Sequence, residues 1–225
     1  MRAQVAQGLA LRRDDRFRLG DRDDVQGRNL LRERPVAGGG PEWQGDRQRE
    51  QRAAAAVLGA ADVTFLGAID GELEATTALR RAVAEVVRAT RPDVVLGHDP
   101  WQRYRLHPDH RAAGFLTTDG VVAARDWHFF PDAGPPHRPQ ELWLFEADEP
   151  DHVEGIDGTL DRKVAALLAH RSQWRSTMGI DDDADAVTAA AQTLAFTGRI
   201  AGVAAVAAAG HTPRHGEAFR RIREL

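Results

Sequence analysis

Two imidazoles three residues apart, in His107-Pro108-Asp109-His110-Arg111, carry the most specific chemistry this chain offers. The preceding run Arg91-Pro92-Asp93-Val94-Val95-Leu96-Gly97-His98-Asp99-Pro100 reads as a buried strand that delivers them. Open α/β sheets place reactive groups just beyond such strand ends. The chain has no cysteine, so a metal ion could use only imidazole and carboxylate ligands. A catalytic zinc takes three protein ligands and keeps one position open for water, so His107 and His110 can supply one ligand and one neighbouring acid or hydrogen-bond donor. Spacing alone leaves open which ring binds, and a His-x-x-His pair in a loop is often no more than surface or packing. None of the nine histidines precedes His98, so the first part of the chain can contribute only carboxylates to such a site.

The surrounding residues have two readings each. Asp109 either orients a neighbouring ring or loop amide, or caps the helix that follows. Asp70 belongs either to a pocket rim or to an Asp-Gly turn. Arg103, Tyr104 and Arg105 suit a polar or anionic substrate, and equally a solvated loop. His98 and Asp99 are close enough in sequence to support a ligand from behind. His170, late in an apolar-periodic helix, reads first as a packing group. The spacing of Trp101, Trp127, Trp143 and Trp174 suits core edges or a pocket wall rather than base stacking.

The elements that position these residues alternate. A helix over Glu50–Leu58 stops at Gly59, and Asp62–Gly67 reads as a short strand. Thr77 would cap a helix over Ala78–Ala89, followed by a strand over Asp93–Leu96 and a helix over Arg111–Ala124 entered at Pro108. Glu141–Phe145 is a further strand; Thr159 would cap a helix reaching Ser172. The aspartates Asp181, Asp182, Asp183 and Asp185 precede an Ala-rich helix to about Ala209 and read as solvated capping groups. This alternation predicts an α/β domain with a mostly parallel sheet covered by helices.

Residues 1 to 48 differ: Arg and Asp dominate, and Ala37-Gly38-Gly39-Gly40-Pro41 signals a flexible loop. We expect an atypical, weakly ordered segment over 1–48, unable to furnish a central strand, and one α/β domain over 49–225. The net charge of -4, with both signs mixed, gives no basic stripe for a nucleic acid. The opening residues have neither the continuous apolar stretch of a signal peptide nor that of a membrane anchor, so the expectation is a cytoplasmic protein with no membrane span. Protein partners are not indicated.

Taken in order, Arg49-Glu50-Gln51-Arg52-Ala53-Ala54, Phe65-Leu66-Gly67 with Asp70-Gly71-Glu72-Leu73, Arg91-Pro92-Asp93-Val94-Val95, His107-Pro108-Asp109-His110-Arg111-Ala112, and Lys163 with Ala169-His170-Arg171-Ser172-Gln173 resemble the LmbE-like family, relatives of the GlcNAc-phosphatidylinositol de-N-acetylase PIG-L. The likeness covers roughly 47–175 and resumes weakly at Glu217-Ala218-Phe219. It implies a Rossmann-like sheet and zinc-dependent hydrolysis of N-acetyl groups, commonly on N-acetylglucosamine conjugates. It assigns zinc binding to His110 and support of the tetrahedral intermediate and leaving group to His107. Family members also open with a strand and His-Pro-Asp-Asp, which supplies the other zinc ligands and the general base. Here Asp14-Asp15 and Asp23-Asp24 follow neither His-Pro nor an apolar strand, so those roles have no assigned residue. The charged N-terminus reads as a replacement of that first strand, by divergence or through a wrong start or reading frame. The expectation is an impaired de-N-acetylase-like hydrolase; the alternative is a non-catalytic sugar-binding or interaction module on the same fold, with Trp101, Tyr104, Arg105 and Asp70 lining its pocket.

Overall fold

Strand β2, Val94–His98, pairs in parallel with β3, Glu141–Phe145, in a register that sets His98 opposite Phe145. This arrangement is seen in a computed structural model, which describes residues 10–12 and 41–225, with side chains from Gly45 onward. Strand β1, Ala10–Arg12, lies antiparallel along β2 and forms one edge. Strands β4, His152–Gly155, and β5, Gly216–Arg223, complete the order β1-β2-β3-β5-β4.

The α/β class and the open sheet flanked by helices agree with expectation, but the mostly parallel character does not. Among the described strands only β2 and β3 run parallel; β1 with β2, β3 with β5, and β4 with β5 are antiparallel. A parallel pair needs a crossover element, and helix α3, Pro108–Arg125, supplies it between β2 and β3. The strand expected over Asp62–Gly67 is also absent. That segment is irregular and has no ladder partner among the described strands, while Leu66 packs on a helix cluster. A β-branched run fits a pleated surface, but it becomes a strand only where a neighbour takes up its backbone groups.

Helix α1 spans Pro41–Leu58, starting earlier than Glu50 with Pro at its first position, and stops before Gly59, whose φ of 75° suits glycine. Helix α2 spans Thr77–Thr90, and its cap is Thr76 rather than Thr77: the Thr76 hydroxyl accepts from Leu79 N at 3.3 Å. Helix α4, Leu160–Leu168, ends short of Ser172, giving way to a 3-10 turn over Arg171–Gln173 and a π turn over Trp174–Met178. Thr159 precedes α4, but its hydroxyl donates backwards to Ile156 O instead of capping. Helix α5, Ala186–Ala207, is capped by Asp185, which accepts from Val187 N at 2.9 Å and Thr188 N at 3.0 Å. Asp181 and Asp183 pair with Arg175 instead. By length and composition α5 could cross a bilayer; it docks Phe196 on Met178 and Ile180 and leaves Leu194, Val203 and Val206 exposed.

The strands alternate sides with period two. Val95, Leu142 and Leu144 face Val121 of α3, while Val94, Trp143 and Phe219 pack on the other face with Leu96 and Phe145. Three glycines let α3 approach closely. A Cβ on Gly97 would meet Thr117 at 2.6 Å, one on Gly114 would meet the His98 carbonyl oxygen at 2.8 Å, and one on Gly120 would meet Val83 at 2.4 Å.

The far end of α3 is fixed by Arg88 of α2, which is 3% exposed. Its guanidinium donates to the carbonyls of Ala123, Ala124, Asp126, Phe129, Phe130 and Gly134. A buried cation is tolerable only when its donors are met, and here main-chain oxygens meet them.

Candidate functional site

Both parallel strands end at the same level, and the site lies there. His98 closes β2; Glu146 immediately follows β3, held at φ 56° in the left-handed region. From the other side, α3 begins with His107 at its N-cap and buries His110, 2% exposed, within its first turn. The His98 and His110 ring centroids are 4.4 Å apart and those of His107 and His110 5.0 Å. One ligand atom from each of His98, His110 and Glu146 can be chosen so that all lie within 4.8 Å of one another.

Arg105 lies among these groups with its side chain 11% exposed. Its Nη1 donates to His110 Nδ1 at 2.6 Å and its Nη2 to Glu146 Oε2 at 2.5 Å, while Nε donates to Gln102. His98 Nδ1 is 3.2 Å from the same Glu146 oxygen, close enough for an ion pair, and among the described residues it is buried without an aligned hydrogen-bond partner. His98 first, and the Arg105 guanidinium with it, hold the Glu146 carboxyl at about 2, against the opposing effect of burial. His107 Nδ1 is likewise buried with no hydrogen-bond partner among the described residues. Two imidazoles and a carboxylate, with an unmatched nitrogen on His98, form a donor set of the zinc type.

The remaining expected residues fall into place unevenly. Asp109, 1% exposed, accepts from Gly71 N at 2.6 Å, so of the tasks considered for it the loop amide is the one seen. Through that bond it holds the turn bearing Asp70, which itself lies 3.9 Å from Arg47 of α1. Asp99 turns away to accept from Trp101 N at 2.9 Å. Arg103 is 70% exposed and pairs with Asp148, apart from the histidines. Trp101 and Tyr104 are exposed. Asp14-Asp15 and Asp23-Asp24 lie outside the described residues. A cavity of about 260 Å³ bordered by Ile69, Leu73 and Leu79 has no histidine in its wall.

Glu146 is the member sequence reasoning missed. It opens the acid-rich stretch Glu146-Ala147-Asp148-Glu149-Pro150, which looks solvated, but it also directly follows an apolar strand, and that position was the available signal. Away from this cluster, Glu50 of α1 accepts from Ser172 N at 2.7 Å and Ser172 Oγ at 2.6 Å, tying α1 to the turn that follows buried His170.

Residues 25–121 match the family model described as PIG-L, GlcNAc-PI de-N-acetylase. The chain is 34% identical over 132 residues to diacetylchitobiose deacetylase of Thermococcus kodakarensis, covering 57% of this chain and 49% of that protein. It is 34% identical over 116 residues to 1D-myo-inositol 2-acetamido-2-deoxy-alpha-D-glucopyranoside deacetylase 2 of Saccharopolyspora erythraea, covering 41% of this chain and 42% of that protein. The chain thus spans about half the length of the curated relatives it matches. In structure it is similar to N,N′-diacetylchitobiose deacetylase from Pyrococcus horikoshii, with a TM-score of 0.68 and 25% identity, over 81% of this chain and 65% of that one.

Proposed function

We propose that this chain, which matches the PIG-L/LmbE-like deacetylase family, is a zinc-dependent hydrolase that removes N-acetyl groups from N-acetylglucosamine conjugates, and that it turns over slowly. The observation that carries the reading is the convergence of His98, His110 and Glu146 at two strand ends beside His107. The substrate class is supported by the names of the relatives, which are deacetylases of amino-sugar compounds.

His98, His110 and Glu146 would hold the ion. When bound, zinc supplies Lewis acidity toward an amide carbonyl and a more acidic water. The chain's own residues do the rest. His107, at the head of α3 and 5.0 Å from the His110 ring, would donate a proton to the departing amine. Asp109 keeps the Asp70 turn against α3, forming the rim. Glu146 would be engaged by the ion and one oxygen of Asp109 by Gly71, and no other carboxylate among the described residues stands with the three histidines, so removal of the proton from water would be the weak step.

The test is release of free amine from N-acetylglucosamine conjugates with zinc present, alongside zinc uptake measured by chelator competition. Slow release and zinc uptake, both abolished by His110→Ala, are expected. Absence of both from the unaltered chain overturns the reading. Saturable, zinc-independent heat with the same conjugates and no amine release would identify a binding module instead.

A further inference from the structure

We propose that Arg105 is a built-in competitor for the metal, a cationic plug that must leave before His98, His110 and Glu146 can hold an ion. The proposal rests on the reading of those three residues as the metal site.

A guanidinium has only donors. Its 2.6 Å contact with His110 Nδ1 therefore uses the lone pair on that nitrogen, which puts the ring proton on Nε2. A neutral imidazole has one in-plane lone pair, and Arg105 already holds it. An ion at either ring nitrogen of His110 thus requires the Arg105 contact to break. The second arm of the fork acts on the same site. Nη2 lies 2.5 Å from Glu146 Oε2, the oxygen that is 3.2 Å from His98 Nδ1. One planar cation therefore engages two of the three ligand residues, and a divalent ion placed among them would meet its charge at close range.

The plug is held in place. Arg105 Nε donates to Gln102 Oε1, and its carbonyl accepts from Arg111 Nη1. Backbone geometry points the same way: Tyr104, immediately before Arg105, has φ 61°, and Glu146 has φ 56°. Non-glycine residues adopt this region at a cost and persist there where surrounding contacts hold them. Both sides of the Arg105–Glu146 pair are thus set by left-handed positions. The arrangement sets the Arg105 charge against Glu146 and makes metal affinity a property that residue 105 controls.

The experiment is zinc affinity by chelator competition for the full chain and for Arg105→Gln, Arg105→Lys, His98→Ala and Glu146→Gln, with cobalt absorption reporting the ligand field. Arg105→Gln removes the charge, and zinc should bind at least tenfold more tightly. Arg105→Lys keeps the charge but cannot fork across two acceptors, and should give a smaller gain; it also decides the matter if the Gln variant does not fold. Equal or weaker zinc binding in the folded Arg105 variants overturns the plug. Zinc binding unmoved by both His98→Ala and Glu146→Gln overturns the ligand set instead. No binding in any variant overturns both.

Discussion

The α-carbon of Gly114 and the carbonyl oxygen of His98 are packed so closely that a methyl group on residue 114 would lie 2.8 Å from that oxygen. This contact, made by main chain on both sides, brings α3 onto the end of β2 and lets the His98 and His110 rings approach to 4.4 Å.

Gly114→Ala should therefore act on stability and site together. Neither backbone can yield locally, so α3 must shift, at a cost of about 1–3 kcal/mol. The denaturant midpoint should fall and zinc affinity should fall with it. A variant that loses stability but binds zinc as before would show that the approach of α3 does not set the ligand geometry.

The two histidines of the loop should separate kinetically. On the proposed reading His110→Ala should abolish zinc uptake, whereas His107→Ala should leave uptake intact and slow amine release by about 10²–10⁴-fold, the usual contribution of a positioned acid. Equal loss of zinc in both variants would assign His107 to the metal as well.

Asp109→Ala should release the turn at Gly71. The lost bond is charge-assisted and buried, so stability should drop by about 1.5–3 kcal/mol. Hydrogen exchange at the Gly71 amide should accelerate beyond what global destabilisation accounts for; unchanged local protection would mean that the turn is held by other contacts.

Burial pushes the His170 imidazole below its ordinary value of 6.5, with Glu50 opposing and Arg47 reinforcing the shift. The unfolded chain then takes up this proton at a higher pH than the folded one does. The stability contribution is complete above 6.5 and is lost as pH falls through 6.5 toward the depressed folded value. Thermal melting from about pH 8 to about pH 5 should show that decline, and His170→Gln should flatten it. An identical slope in the variant would assign the dependence to other groups.

Where local chemistry and tertiary packing agree, the sequence was readable. Glu141–Phe145 forms a strand with the expected bounds, Pro108 opens α3, and Asp185 caps α5. Where the outcome depends on a distant partner it was not. Val63-Thr64-Phe65-Leu66 has strand composition but no ladder beside it among the described strands, so it stays irregular. Of the site, His107 and His110 were read from the loop, His98 only as support behind a ligand and Arg105 only as a substrate contact, whereas the structure sets both directly beside His110. Glu146 was hidden because its partner in space, His98, is brought near by the β2–β3 register, a relation no local pattern records. The cap likewise falls at Thr76, one residue before the expected Thr77, and with threonine at both positions no local pattern separates them.

The grip of Arg88 on the far end of α3 turns that helix into a lever. From the carbonyls around Ala123 to His107 the arm is about 24 Å at 1.5 Å per residue, and at its far end Asp109 holds the Gly71 amide and Arg105 holds His110. A tilt of about 1° moves that end by about 0.4 Å, comparable to the tolerance that separates productive from idle geometry. Such a tilt must carry the Gly71 turn held by Asp109 and open the close contact of Gly114 with the His98 carbonyl, so the position of the histidines is set from both ends of the helix.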